Sequence, residues 1–379
     1  MKKSIKICAF LISLLLLFCS VTSAYAVSYD DIYSKIDSTS QNLLSNPVPM
    51  VNPIRGEWVV IGLARSNKIS DDFIDGYYKN AVSYVKEKNS AQLHRSKSTE
   101  NSRMIIALTA IGKDPTNVAE YNLLEPLADF DYVKKQGLNG PIWALIACDT
   151  LQYEIPKNEN VKTQTTREEI IDYIVSQECS DGGWDLEGIK ADPDITGMAL
   201  QALAPYYNKN ESVKAAVDRA LNVISDIYNT SHPLNNAESY AQLLTALSSL
   251  NIDCQSDERF NKNGSSLLDM MMLFSVEGGF EHNKNSGYNQ MATEQCYYSL
   301  VSYFRFMKEN TALFDMTDLL TKFDVNSDGA TTITDATLIQ KFIAESEKFT
   351  LLQQKLADAN GDGKVNINDV TFIQKYLAV

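Results

Sequence analysis

The sequence predicts an all-α protein: a barrel or solenoid of stacked helical hairpins, followed by a small C-terminal unit of two loop-helix repeats. Three observations predict it. Short apolar segments of helical period recur from about residue 27 to 312. Strand-type alternation is absent from the same span. Residues 324–344 and 358–378 are near copies of each other, offset by 34 residues.

The first element is a leader. Lys2, Lys3 and Lys6 precede a nearly unbroken apolar run from Ile7 to Phe18, and Ala24-Tyr25-Ala26 supplies small residues where a signal peptidase reads. Residues 1–26 are therefore expected to be a signal peptide, cleaved after Ala26, and the mature protein to be secreted. The run is too short for a spanning helix, and nothing later approaches 18 apolar residues. Removing the leader's three lysines takes the net charge from −14 to −17. A surface that acidic repels phosphate backbones, so nucleic acid is excluded as a partner, and anionic membrane is disfavoured for the same reason. Cys148, Cys179, Cys254 and Cys296 remain after cleavage. Four cysteines in a secreted domain allow up to two disulfides, but these have no C-x-x-C spacing and sit in or beside apolar stretches, which favours buried free thiols.

The body, 27–312, is built from segments such as "EWVVIGLARS" (57–66), "SRMIIALTAIG" (102–112), "PIWALIACDTL" (141–151), "TGMALQALAPYY" (196–207), "SYAQLLTALSSL" (239–250) and "QCYYSLVSYFRF" (295–306). They are apolar around much of their circumference, so they belong inside a second set of more polar helices, among them Arg167 to Gln177 and Ser212 to Tyr228. The repeat is irregular, too long for a tetratricopeptide and too loose for ankyrin. A closed inner-and-outer ring fits the two classes of helix; periodicity does not prove closure.

The C-terminal unit, 313–379, follows without a Pro- or Ser-rich linker, which predicts a short, stiff junction. Each copy carries oxygen donors at fixed positions of a twelve-residue loop. Asp324, Asn326 and Asp328 stand at positions 1, 3 and 5 of the first, and Asp358, Asn360 and Asp362 in the second. Gly329 and Gly363 occupy position 6, where the backbone must turn sharply. Ala330 and Lys364 offer main-chain carbonyls at position 7, Thr332 and Asn366 stand at position 9, and Asp335 and Asp369 close the set at position 12. Hard oxygens on a tight turn suit calcium, and two matching loops, each opening an amphipathic helix, predict two structural Ca2+ ions. No convincing helix leads into either loop.

This arrangement resembles the type I dockerin family: loop-helix duplicates without entering helices, Asp at position 12, and "IQKF" or "IQKY" in the following helix. The resemblance implies a cohesin partner on a scaffolding protein, as in bacterial cellulosomes, with an extracellular location. It places cohesin contacts at Ile333 and Thr334 or Ile367 and Asn368, with Gln340 and Lys341 or Gln374 and Lys375 adding to them.

Within the body, "QECSDGGWD" (177–185) and "SVEGGFEHN" (275–283) share acid-Gly-Gly-aromatic. They look like the Gln-Trp-type repeats of squalene cyclases and protein prenyltransferases, and "ADPDITGMALQAL" (191–203) and "MATEQCYYSL" (291–300) extend the likeness to that α/α-toroid superfamily. The resemblance implies a ring of inner and outer helices over 27–312. Its chemistry comes only in fragments. The cyclase motif D-x-D-D-T is matched by Asp192, Asp194 and Thr196, but Ile195 replaces the carboxylate that tunes the acid. Asp192 or Asp194 also suits an N-cap for a helix beginning near Thr196. Glu294-Gln295-Cys296 echoes a zinc motif, but no histidine follows Cys296. A Cys-Gly-Glu-Gln thioester stretch is absent.

Asp194, Asp192, Asp181 and Glu281 are the candidate catalytic carboxylates, with Asp185, Glu277 and Glu294 in comparable turns. Trp184, Tyr240, Tyr288 and Tyr297 are candidates to line a ligand cavity. The expectation is a secreted, cohesin-docked protein whose body binds a small-molecule, peptide or carbohydrate ligand or is a degenerate cyclase-like domain. A polysaccharide-degrading hydrolase or lyase is the alternative, and a prenyl or terpenoid cyclase the second alternative.

Overall fold

The computed structural model describes residues 26–228, 233–319, 323–326, 330–349 and 351–378; the expected signal peptide, His232, Asp328 and Gly329 lie outside the described residues. Helices alternate along the body: α1 (Tyr29–Leu44), α2 (Glu57–Arg65), α3 (Asp71–Lys88), α4 (Thr99–Ala110), α5 (Phe130–Lys134), α6 (Asn139–Asp149), α7 (Arg167–Ser176), α8 (Pro193–Leu203), α9 (Glu211–Ile227), α10 (Ala237–Ser249), α11 (Leu267–Met272) and α12 (Gln290–Met307). All six apolar segments read from the sequence fall on the even-numbered helices. Most of these helices begin at a Ser, Thr, Asp or Asn cap. Ser28, Ser70, Thr166, Asp192, Asn210, Asn236, Ser266 and Asn289 each accept a main-chain N–H of their first turn. Each such cap contributes about 1 kcal/mol.

The two classes differ in burial. On α6 every residue from Gly140 to Cys148 is buried. On α3 only Phe73, Tyr77, Ala81 and Val85 are, a single stripe at four-residue spacing. The even-numbered helices pack in cyclic order: α2 on α4, α4 on α6, α6 on α8, α8 on α10, α10 on α12, and α12 back on α2. The odd-numbered helices α1, α7, α9 and α11 pack against α12, α6, α8 and α10 respectively. Strand structure among the described residues is confined to two short antiparallel ladders. These pair β1 (Asn261–Lys262) with β2 (Ser265–Ser266), and β3 (Ser275–Val276) with β4 (Gly279–Phe280).

Closure is tight where α12 meets α2. A Cβ on Gly62 would stand 2.7 Å from the Tyr297 ring, so only glycine lets the two helices approach this closely. A strap then covers the closure. Arg65 donates to the Leu313 carbonyl at 3.0 Å, and Arg65 and Arg305 both hold Asp318, at 2.9 and 2.7 Å. Leu313 and Met316 are fully buried. The expected junction at 312 thus falls within a segment packed on the body.

The centre of the ring is filled by aromatics. Trp58 on α2 meets Trp143 on α6 with centroids 4.7 Å apart, and Tyr298 on α12 lies 5.7 Å from Trp58. Phe314, from the strap, reaches Trp143 at 5.7 Å. Helices α2 and α6 are not neighbours in the cycle, so these contacts span the ring. Trp184, Tyr240 and Tyr297, expected to line a cavity, are instead fully buried in the surrounding core, and Tyr288 is exposed. The four described cysteines are buried and unpaired.

The C-terminal unit has its own core of Val325, Ala336, Ile339, Phe349, Leu356, Ala357, Val370 and Ile373. Helices α13 (Ile333–Ile343) and α15 (Ile367–Leu377) pack on each other. One expectation is corrected. A seven-residue helix, α14 (Leu351–Ala357), leads directly into the second loop. It is too short to show periodicity, and burial of Leu356 and Ala357 in the unit's core holds it.

Gly62→Val is expected to lower stability by about 1–3 kcal/mol through overpacking against Tyr297. Urea unfolding checks it; an unchanged midpoint would show that the α2–α12 contact does not hold the ring closed.

Candidate functional site

The two C-terminal loops share one hydrogen-bond scheme. Asp335 accepts the N–H of Asn326 at 3.1 Å on one oxygen and that of Thr332 at 2.8 Å on the other. Asp369 does the same with Asn360 at 3.2 Å and Asn366 at 2.8 Å. Both carboxylates are fully buried, and both sit at the third position of their helix in a capping box. Each ties loop positions 3 and 9 to the first turn of the following helix. In the second loop Asp358 accepts the N–H groups of Asp362 and Gly363, at 3.0 and 2.8 Å, and Asp362 accepts that of Lys364 at 2.9 Å. Gly363 takes φ 79°, a conformation a side chain would strain.

Among the described residues, no three His, Cys, Asp or Glu side chains converge as a metal cage. The loops offer a different donor set, in which carboxylates alternate with amide and main-chain oxygens. That chemistry fits a hard cation such as calcium and offers nothing to a soft one.

Residues 322–378 match the dockerin type I domain. Comparison of the chain with curated proteins and with solved structures gives no match. On the dockerin, the expected contact residues lie on the surface. Ile333 and Ile367 are 56% and 57% exposed, an unusual state for isoleucine that the duplication reproduces. Thr334, Gln340, Lys341, Asn368, Gln374 and Lys375 are exposed too. Phe372 and Tyr376 join this surface while leaning edge-on against Phe323, at 5.6 and 5.3 Å.

In the body, the acid-Gly-Gly-aromatic turns have a shared purpose. The Trp184 N–H donates to Thr196 Oγ1 at 2.9 Å, and that hydroxyl donates to the Trp184 carbonyl. Phe280 and Thr293 repeat the pair. Each turn is thereby fastened to the start of α8 or α12. Of the candidate carboxylates, most are occupied. Asp192 is the N-cap of α8, accepting from Asp194 and Ile195; the helix starts at Pro193, earlier than expected. Asp181 accepts the Ala191 N–H at 3.1 Å. Glu281 accepts from Gly287 at 3.0 Å, and main-chain N–H groups led by that of Asn285 hold its carboxyl below the usual range.

Asp194 stands apart. Its Oδ1 is buried with no protein partner, and burial raises its carboxyl to about 6; a Ser239 hydrogen bond opposes the rise, and the Asp192 and Glu238 carboxylates add to it. Glu238 holds His282 Nδ1 at 2.8 Å through Oε2 and keeps a buried, unpartnered Oε1. These groups meet at the amino-terminal ends of α8 and α10. Glu294, at the same end of α12, accepts from the Arg55 N–H at 2.7 Å and Gln290 Nε2 at 2.6 Å. Burial raises it from 4.5 to about 7 against those two bonds. Glu238 and His282 escaped sequence reasoning because 44 residues separate them: His282 lies in the "SVEGGFEHN" turn, but nothing in the sequence brings Glu238 to it.

A carboxyl that holds its proton more tightly folded than unfolded stabilises the fold fully below its unfolded value and loses that contribution as pH rises through its folded value. Between pH 4.5 and 7, Glu294 therefore contributes a fall in unfolding free energy. Replacement by Gln is expected to remove about 1–3 kcal/mol of that fall. Urea titrations at several pH values test it, and equal slopes in both proteins would refute it.

Proposed function

We propose that this protein is a secreted component held on a scaffolding protein by calcium-dependent binding of its dockerin to a cohesin. The observation that carries the reading is the duplicated brace of Asp335 and Asp369, each presenting an exposed isoleucine at the start of a helix. Two Ca2+ ions would be held by Asp324, Asn326, Asp328, the Ala330 carbonyl, Thr332 and Asp335, and by Asp358, Asn360, Asp362, the Lys364 carbonyl, Asn366 and Asp369. Bound there, the ions would neutralise the clustered carboxylates and fix the loops. A unit this small has a meagre core, so binding confined to the folded state adds directly to its stability.

The body, from residue 27 to the end of the strap near 319, is an α/α-toroid that binds a ligand and keeps only part of a cyclase active site. The cyclic packing of the even-numbered helices supports the toroid. The employment of Asp192 as a cap and the presence of Ile195 beside Asp194 support the loss of cyclase chemistry.

Chelation is expected to unfold 323–378 and abolish cohesin binding while the ring stays folded. Pairwise replacement of Ile333 and Thr334, and of Ile367 and Asn368, by alanine should weaken binding when both pairs are changed. Circular dichroism and calorimetry with a cohesin in calcium and in EDTA decide; identical results in both media would defeat the reading.

One observation favours a polysaccharide hydrolase or lyase instead. Asp194 and Glu238 both keep a buried oxygen without a protein partner, beside a half-exposed histidine. In that case polysaccharide screening should reveal reducing-end or unsaturated-sugar release that Asp194→Asn lowers at least a hundredfold. Release unaffected by that substitution would remove this site from consideration.

A further inference from the structure

The end of the ring opposite the carboxylates carries a cleft of about 780 Å3. It lies at the carboxyl-terminal ends of α6, α8 and α10, and one of its lining residues, Lys355, comes from the dockerin. Lys355 on α14 donates to the main-chain carbonyls of Leu151 and Gln152, at 2.6 and 2.7 Å, and so seats the dockerin against the ring. A volume of this size is that of an ordinary small-ligand site.

Its chemistry is unusual for so acidic a protein. Three carboxylates, Asp149, Glu154 and Asp315, face three cations, Arg167, Lys209 and Lys355. Several of these are already matched. Arg167 holds Asp149 at 2.7 Å, and the Tyr206 hydroxyl donates to the other Asp149 oxygen at 2.7 Å. An anionic ligand would find no surplus cation, and a cationic one no surplus carboxylate. An apolar ligand would strip water from these groups without replacing its hydrogen bonds. What remains is a neutral molecule that both donates and accepts.

The floor of the cleft asks for such a donor. Gln201 is 95% buried, its Nε2 is committed to Gln242 Oε1 at 2.9 Å, and its Oε1 has no protein partner. The carbonyls that end α6 and α10 are already taken, since those of Cys148, Asp149, Leu247 and Ser248 accept N–H groups of the turns that follow them. Phe314 supplies an apolar face beside them.

We propose that the cleft between the ring and the dockerin binds a neutral, hydroxyl-rich ligand, an oligosaccharide, with Gln201 accepting one hydroxyl and Lys355 contacting it from the dockerin side. The assignment rests on the reading of the body as a ligand-binding ring and gives that reading a place and a substrate class. Because the ligand would touch both parts, its binding would also tighten their seating.

The full chain in calcium is titrated by calorimetry with cellohexaose, xylohexaose and mannohexaose. Hexagalacturonate, chitosan hexamer and a neutral Gly-Ser peptide serve as counter-probes. One neutral hexasaccharide is expected to bind at a 1:1 ratio. Gln201→Leu and Lys355→Ala should each weaken it at least tenfold, with cohesin binding unchanged. Thermal melting identifies any variant that fails to fold, and Lys355→Ala, at a half-buried position outside both cores, keeps the test decisive if Gln201→Leu fails. Saturable binding that both variants leave intact overturns the cleft while leaving a ligand-binding ring. Binding confined to a counter-probe overturns the substrate class. No binding to any probe overturns the cleft and the ligand-binding reading together, and retained cohesin binding in that sample keeps the docking reading separate.

Discussion

The packing of α12 on α2 is the contact on which the rest of the body depends. It joins the last inner helix to the first, across nearly the whole length of the ring. Gly62 makes it possible by leaving room for the Tyr297 ring. Once the circle is closed, Trp58, Trp143 and Tyr298 meet across it, and the ring needs a plug more than a wall. Phe314 supplies that plug, and the strap that carries it is held by Arg65 and Arg305 around Asp318. Dispersion among large, closely packed rings, together with removal of apolar area from water, stabilises the centre. A water-filled centre would lose both terms.

Closure also separates two ends with different chemistry. The inner helices all point the same way, so their N–H ends gather at one mouth and their carbonyl ends at the other. At the first mouth stand Asp192, Asp194, Glu238 and Glu294, as suits the positive end of helix dipoles. Burial still raises Asp194 and Glu294, because desolvation there outweighs the hydrogen bonds that favour charge. The second mouth holds balanced charges and the seat of Lys355. The dockerin match and the packed body are thus joined through main-chain carbonyls, contacts that depend little on the residue supplying them.

In the C-terminal unit the duplicated carboxylates do two things at once. Asp335 and Asp369 cap a helix and tie together distant points of a loop, and each leaves no surface exposed. That double duty explains how a unit with a core of few residues braces positions 3 and 9 of both loops in the same way. It also leaves Ile333 and Ile367 outside, since the turn that buries position 12 points position 10 to solvent.

The sequence by itself determined local matters, where neighbours in the chain decide. The inner helices, the caps, the turn glycines and the oxygen spacing of the two loops were all legible, because period, capping chemistry and φ preference act within a few residues. The fastening of Trp184 by Thr196 was half legible: the turn could be read, its anchor could not. Only the tertiary structure decided which aromatics fill the centre, since Trp58, Trp143 and Tyr298 become neighbours through closure alone. It also decided that Asp192 is spent as a cap while Asp194 is not, and that Glu238 and His282 stand beside it. Such groupings depend on distance in space, and a sequence records distance only along the chain.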